Sequence, residues 1–189
     1  MDLNIIKKIF PPTENYHLLS YDIEGLYSIT LPNESYEISL LVSNLLGNNI
    51  IICDGTAGIG GNTISFSKNF KNVISIELCK NRYKILENNI KAFNLSNVNL
   101  INESCLNNLN LDCSAYFFDP PWGGPEYKNK KNIRFKLGEL ALIEIIKIIK
   151  KIGQKIIFFK LPNNYDLNEF NEFNYNINKI KKYQLITIF

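Results

Sequence analysis

The chain has 189 residues and a mass of 21.8 kDa, a size that fits one ordinary domain. Hydrophobic residues are 46%, aromatic residues 12% and charged residues 21%, a balance that excludes a disordered, collagen-like or coiled-coil chain as a whole. Lysine plus arginine is 21 against 18 acidic residues, giving 21 − 18 = +3, which permits a phosphate-bearing partner without requiring one.

Residues 1–32 read as a polar extension broken by Pro11, Pro12 and Pro32, and residues 33–189 as the core. Ile38, Leu41, Val42 and Leu45 recur at helical spacing, and Gly47 supplies a stop. The pattern then changes. Ile50–Cys53 is a short apolar run bounded by turn residues, the mark of a buried strand, and it enters the segment DGTAGIGGNT. A helix is predicted over 64–70, a second buried strand over 73–78 (VISIEL), and a helix over 81–93 with Tyr83, Leu86, Ile90 and Phe93 on one face. Strands follow over 98–101 and 115–118, the latter ending at Asp119-Pro120-Pro121. An amphipathic helix is predicted over 137–151, with Lys147, Lys150 and Lys151 reaching outward. A fifth strand covers 155–160, a helix 166–173, and the stretches 175–180 and 183–189 alternate as a closing hairpin. Strands alternating with helices imply an α/β fold, with a mainly parallel sheet covered on both faces and an antiparallel edge. Ligands of such sheets sit outside the carboxyl ends of the strands. Function is therefore expected in the loops after Cys53, Leu78, Asn102, Phe118 and Lys160.

The composition is skewed: 28 Asn, 29 Ile and 19 Lys against two Arg. These are AT-rich codons, so the bias points to a low-GC genome such as a parasite's or a large DNA virus's, and asparagine-rich surface says little about function. The cysteines, Cys53, Cys79, Cys105 and Cys113, form no C-x-x-C pair, and His17 is the one histidine, so no metal site is expected. Most lie in or beside apolar runs, as free thiols in a reducing compartment do. No secretory signal or membrane-length apolar run is visible. The expectation is an intracellular monomer, of nucleus or cytoplasm, with no membrane partner.

The loop after the first strand is Asp54-Gly55-Thr56-Ala57-Gly58-Ile59-Gly60-Gly61-Asn62-Thr63. Its glycines let backbone approach a ligand, and the following helix presents free amides. Asp54 at the start would repel a phosphate and suits an amine-bearing ligand; a tight turn that binds nothing is the alternative. Glu77 lies 77 − 54 = 23 residues further on, near the ~20-residue offset at which an acidic side chain takes ribose hydroxyls. Together the two features favour a nucleoside.

The loop Asp119-Pro120-Pro121-Trp122-Gly123-Gly124-Pro125-Glu126-Tyr127 is the most specific. Two prolines hold the backbone extended and remove two amide donors, which leaves the Pro120 carbonyl available. The Asp119 side chain and that carbonyl suit the two hydrogens of a planar exocyclic amine. Trp122 suits the ring that bears it, all the more if the ring is cationic. The alternative is a rigid surface turn with a core tryptophan. Glycine loop, ribose acid and amine acceptors together imply methyl transfer from a sulfonium nucleoside to an exocyclic amine, achieved by positioning and electrostatics.

These residues resemble the cap guanine-N2 methyltransferases, the trimethylguanosine synthase family. The matching segments are EGLYSIT (24–30), DGTAGIGGNTISF (54–66), VISIEL (73–78), YFFDPPWGGPEY (116–127) and FKLPNN (159–164), in family order. The resemblance implies a class I S-adenosylmethionine-dependent methyltransferase: a Rossmann-like seven-stranded sheet with an antiparallel terminal hairpin. It implies a 7-methylguanosine RNA cap as substrate, methylated at N2 to the 2,7-dimethyl or 2,2,7-trimethyl form. Trp122 would stack on the 7-methylguanine, with Asp119 and Pro120 at the N2 amine and Pro121, Gly123, Pro125 and Asn163 around the substrate. The cofactor would fall to Thr30, Asp54, Gly55, Thr56, Ala57, Gly58, Asn62, Thr63, Glu77, Leu78, Ser104 and Asp119.

The chain departs from the family pattern in places. Asp119 stands where the family often has serine. Ser104, with Glu103 beside it, stands where an acidic residue usually follows the third strand. Leu161-Pro162-Asn163-Asn164 replaces an LPRN segment, so its arginine is missing, and a lysine at 128, 130, 131 or 160 is the expected stand-in for holding cap phosphates. The long amino-terminal region of many members is missing too, as expected of a minimal catalytic module. The rivals are a ribosomal or transfer RNA guanine-N2 methyltransferase, an adenine-N6 methyltransferase of RNA or DNA, and a non-catalytic cap-binding module. A nicotinamide-dependent enzyme is disfavoured by Asp54 and the lack of GxGxxG.

Overall fold

The computed structural model describes residues 2–189. The chain divides into two compact units, the first ending at Cys105 and the second running from Leu106 to Phe189. The main sheet has seven strands.

In the first unit, β1 (Ile51–Asp54), β2 (Asn72–Ile76) and β3 (Val98–Ile101) run parallel in the order β3-β2-β1. The residues between them supply α4 (Gly61–Asn69) and α5 (Lys80–Ala92). α3 (Pro32–Leu46) precedes the sheet, starting at a proline whose fixed φ suits the first helical position and stopping at Gly47, at φ 73°.

Residues 2–31 hold more structure than their polar composition foretold. They form α1 (Leu3–Ile9), a 3-10 turn at Tyr16–Leu18 and α2 (Ile23–Ser28). Asp2 and Asp22 cap the two helices, accepting the amides of Asn4 at 2.8 Å and Gly25 at 2.7 Å. Ile6, Ile9, Phe10 and Leu19 are buried with Ile59, Leu86 and Ile90 in one apolar cluster. Asn89 of α5 secures this packing. It is fully buried, accepts the Ser20 amide at 2.9 Å, and donates to the Ser20 and Ile59 carbonyls at 3.0 and 2.9 Å.

In the second unit the order is β4-β7-β9-β8. β4 (Ala115–Phe118) pairs in parallel with β7 (Ile156–Pro162), and β9 (Tyr183–Ile188) runs antiparallel to both β7 and β8 (Tyr175–Ile180). β9 is buried along its length, while edge strand β8 turns Asn176, Asn178 and Lys179 to solvent, which guards an edge against unwanted pairing. The helix expected from 137 begins instead at Leu142 (α6, Leu142–Ile152), because β5 (Lys136–Leu137) and β6 (Leu140–Ala141) fold back as a tight hairpin with Gly138 at φ 58°. α6 then buries Leu142, Ile145, Ile146 and Ile149, a stripe at helical spacing. The helix expected over 166–173 is a 3-10 turn at Leu167–Phe170. The closing hairpin stands where the alternation placed it.

Replacing Asn89 by alanine removes three hydrogen bonds and strands buried backbone groups. The expected loss is about 2–4 kcal/mol of stability, read from the urea denaturation midpoint.

Candidate functional site

The chain leaves β1 at Asp54 and turns through residues 55–60 into α4. Gly58 takes φ 57°, and a Cβ there would meet nothing within 4 Å, so that side of the loop is open. Gly61 is required for the opposite reason: a Cβ would lie 2.7 Å from the Thr30 carbonyl oxygen. Gly55 and Ala57 are buried and Thr56 half-buried. Asp54 does not stand open at the loop mouth. It is fully buried, and the Thr63 hydroxyl, early in α4, donates to its Oδ2 at 2.6 Å. With that hydrogen committed, the Ser75 hydroxyl donates to Thr63 Oγ1 at 3.0 Å, so one chain of bonds ties β1, α4 and β2. Asn62 is buried too. Its Nδ2 donates to Thr30 Oγ1 at 3.0 Å, and its Oδ1 has no partner.

Glu77 follows β2. Its Oε2 accepts the Gly58 amide at 3.0 Å and its Oε1 the Cys79 amide at 2.8 Å. Arg82 Nε lies 3.6 Å from Oε1, and the same guanidinium pairs with Glu24 at 2.7 Å. Burial pushes the Glu77 carboxyl above its ordinary range despite these partners. A carboxylate offers about four lone-pair sites. Two are occupied by backbone amides, so two hydroxyls can still be received. Leu78 beside it is 70% exposed, an apolar surface at the strand end. Asn102 steadies this turn, donating to the Glu77 and Leu78 carbonyls at 2.8 and 3.2 Å. Ser104 is half-buried in the loop after β3, next to exposed Glu103. The open loop, the orphan Asn62 oxygen, the spare acceptors of Glu77 and the bare Leu78 fit an adenosine-type group.

In the second unit, Asp119 follows β4. Phe118 and Phe159 are paired across β4 and β7, which brings the next residue of each strand together: Asp119 Oδ2 and Lys160 Nζ are 2.7 Å apart. Lys160 is 6% exposed. Its ammonium lies 5.3 Å from the Trp122 ring centre and 4.9 Å from that of Tyr183. Trp122 is half-buried, its Nε1 is buried without a partner, and Tyr127 meets it at 5.2 Å with the rings at 81°. Pro120 is buried; Pro121, Gly123 and Pro125 are exposed. Asn164 ties the loop down, donating to the Tyr127 and Lys130 carbonyls at 2.8 and 2.7 Å.

Two expectations change. Lys160 is no stand-in for a phosphate-holding arginine, since it is enclosed by Asp119 and two rings, whereas Lys128, Lys130 and Lys131 are exposed. Asn163 gives its amide to the Lys181 carbonyl at 3.1 Å, holding the β8–β9 turn. The sequence reading missed Lys160 as Asp119's partner, along with Tyr183, Arg82 and Glu24. The expected strand 155–160 ended at Lys160, whereas β7 continues to Pro162 and encloses it.

Among the described residues no group of three or more His, Cys, Asp or Glu could hold a metal ion, and no helix is long and apolar enough to cross a membrane. A cavity of about 360 Å³ lined by Ile51, Val73, Asn97 and Val98 lies at the starts of β1, β2 and β3, away from all these residues.

The family model described as RNA cap guanine-N2 methyltransferase matches residues 49–188. The chain belongs to this family. It is 34% identical to an uncharacterized protein of Acanthamoeba polyphaga mimivirus, over 98% of this chain and 85% of that one. It is 31% identical to the trimethylguanosine synthase of Schizosaccharomyces pombe, over 78% of this chain, and 26% identical to that of Saccharomyces cerevisiae, over 86%. It spans only 64% and 54% of the length of those two yeast proteins. Among solved structures, a precorrin-6y C5,15-methyltransferase from Geobacter metallireducens superposes with a TM-score of 0.66 over 90% of this chain and 93% of its own, at 16% identity. The fold is that of a class I methyltransferase, as expected, and family and fold together make the chain an S-adenosylmethionine-dependent methyltransferase.

The Glu77 carboxyl has a testable pH signature. Its folded pKa is above the unfolded 4.5, so its contribution to stability is fully present below pH 4.5 and declines as pH rises through the raised value. Urea denaturation of the wild type and of Glu77→Gln across pH 4–7 should show their stability difference shrinking or reversing with rising pH. A constant difference counts against the assignment.

Proposed function

We propose that the protein methylates the exocyclic N2 amine of a 7-methylguanosine RNA cap, with residues 33–189 carrying the chemistry. The product is the 2,7-dimethyl or 2,2,7-trimethyl cap, and the partner is capped RNA in nucleus or cytoplasm. The observation that carries the reading is a half-buried tryptophan in the Asp119–Tyr127 loop, three residues past a carboxylate at the end of β4. The family to which the chain belongs supports it.

S-adenosylmethionine, when bound, supplies an electrophilic methyl carbon on a sulfonium. Glu77 offers its two spare acceptor sites to ribose hydroxyls, the open side of the Gly58 turn admits backbone contact, and Leu78 offers an apolar face to a base. Thr30, Asn62 and Ser104 border the same loops. Asp54 and Thr63 act as positioning residues, since they fix the loop from beneath. On the acceptor side, Trp122 holds the purine plane by stacking. Asp119 accepts from the N2 amine, whose lone pair is otherwise delocalised into the ring. As N2 bonds to the methyl carbon, the carbon–sulfur bond breaks and its electron pair returns to sulfur as a neutral thioether. Positive charge grows on nitrogen and the hydrogen bond to Asp119 strengthens, which favours the transition state over the ground state. The nitrogen then sheds its proton to solvent. Lys128, Lys130 and Lys131 are the exposed cations near this loop that suit cap phosphates.

Mass spectrometry of a 7-methylguanosine dinucleotide cap incubated with protein and S-adenosylmethionine should show a gain of one or two methyl groups, and none on a cap lacking the 7-methyl group. Trp122→Ala should weaken binding of 7-methylguanosine nucleotides roughly 10-fold or more, as loss of a stacked base does, while cofactor affinity measured by calorimetry stays within about twofold. Equal loss of both, or turnover of the unmethylated cap, counts against the reading.

A further inference from the structure

We propose that Lys160 is a specificity-determining positioning residue: its ammonium and the Asp119 carboxylate form a charge-balanced pair against the Trp122 ring, and this balance lets the site accept a positively charged purine. The inference rests on the proposed stacking of the cap on Trp122.

Lys160 sits in a central strand at 6% exposure. A buried ammonium is tolerated only when paired. Asp119 at 2.7 Å supplies the opposite charge, and the faces of Trp122 and Tyr183, both within the ~6 Å range of cation–π attraction, supply the rest. The same arrangement poses a problem for a cationic ligand. The indole already has one positive charge beside it, and a second cation drawn to that ring meets the first. In a site of low effective dielectric, a lone ammonium several ångströms away would weaken cation binding on the order of 10-fold. The carboxylate cancels that field: a close ion pair acts outward as a dipole, which falls off faster than a single charge. Asp119 therefore does two things, facing the amine and neutralising Lys160, and Lys160 fixes the direction of Asp119. A serine ahead of the prolines, as is frequent in the resembling family, would need no counter-charge. Asp119 needs one, and β7 provides it.

Trp122 is the only tryptophan in the sequence, so fluorescence excited at the red edge of the indole band, beyond tyrosine absorption, reports on this ring alone. Titration with 7-methylguanosine and with guanosine at about pH 6, using nucleosides so that phosphate charge plays no part, measures cation preference directly. Asp119→Asn should weaken 7-methylguanosine binding about 10-fold or more and guanosine binding less than about threefold. Asp119→Asn combined with Lys160→Met removes the repelling charge as well. It should bring 7-methylguanosine affinity back to within about threefold of wild type while turnover of the cap dinucleotide stays low, so that affinity and kcat separate. A structural role for Lys160 alone would produce no such rescue. If the double variant binds the cation no better than Asp119→Asn, or Asp119→Asn binds it as well as wild type, the proposal is overturned while cap methylation by the wild type stands. Should Asp119→Asn fail to fold, as a thermal melt would show, the neutral double variant decides: cation binding at the wild-type level supports the pair, and its loss overturns it. If wild type shows no preference for 7-methylguanosine over guanosine, the stacking reading and this inference fall together.

Discussion

The second unit is organised around a lysine that the strand forces indoors. β7 alternates, and the side of the strand that carries Phe158 and Pro162 carries Lys160 between them. An unpaired ammonium at that depth costs several kcal/mol, so the neighbouring strand end must supply a carboxylate and the surrounding loops must supply rings. Asp119, Trp122 and Tyr183 meet that demand. The loop that follows is stiffened in its turn, by two prolines, by the Trp122–Tyr127 contact and by the Asn164 amide. The geometry offered to a planar ligand is thus set by a packing requirement that holds before any ligand arrives.

The first unit shows the same economy with carboxylates. Asp54 and Glu77 both stand at strand ends where ligands are expected, yet they are used differently. Asp54 is closed off by the Thr63–Ser75 chain and keeps the glycine loop at a fixed height over the sheet. Glu77 holds the same loop through the Gly58 amide but retains acceptor capacity and a partly solvated edge. One acid positions the loop; the other positions it and keeps the acceptor sites that the proposed function assigns to ribose hydroxyls. Arg82 links Glu77 to Glu24, so α2 is joined electrostatically to the loop that the ligand would meet.

How much of this was legible in the sequence follows from where the determining contacts lie. β3, β4 and the terminal hairpin stand where the pattern put them because a buried strand needs only a short apolar run or a period of two. The glycine loop, Glu77 and the Asp119–Trp122 segment were legible because loop chemistry is local. α1 and α2 were not, since each is under eight residues and carries too few apolar positions to show a period; the aspartate caps at Asp2 and Asp22 were the readable signal. The late start of α6 was hidden by a hairpin of two-residue strands. Lys160 was invisible as a partner because its bond to Asp119 spans 41 residues, and a lysine at the end of KIIFFK reads as the strand meeting water. The burial of Asp54 was likewise hidden, because a capture by Thr63 looks in the sequence like any other helix-start threonine.

Asp119 and Lys160 are to be understood together, because each offsets the charge of the other. On the proposed reading, in which the Trp122 ring holds a cation, an aspartate ahead of the prolines would on its own favour binding but would also place an unpaired carboxylate in a half-closed site. A lysine in the adjacent strand alone would oppose the cation. Present together, at 2.7 Å, the two charges offset each other, and in the proposed reading the indole's own quadrupole is left to select the ligand. Asn163 and Asn164 follow the same logic one turn later. Where an arginine would reach outward for phosphate, two amides instead stitch the Tyr127–Lys130 and Lys181 backbones to the end of β7. On the proposed reading, contact with phosphate would pass to lysines on the exposed rim, which as flexible point charges demand less exact placement than a forked guanidinium.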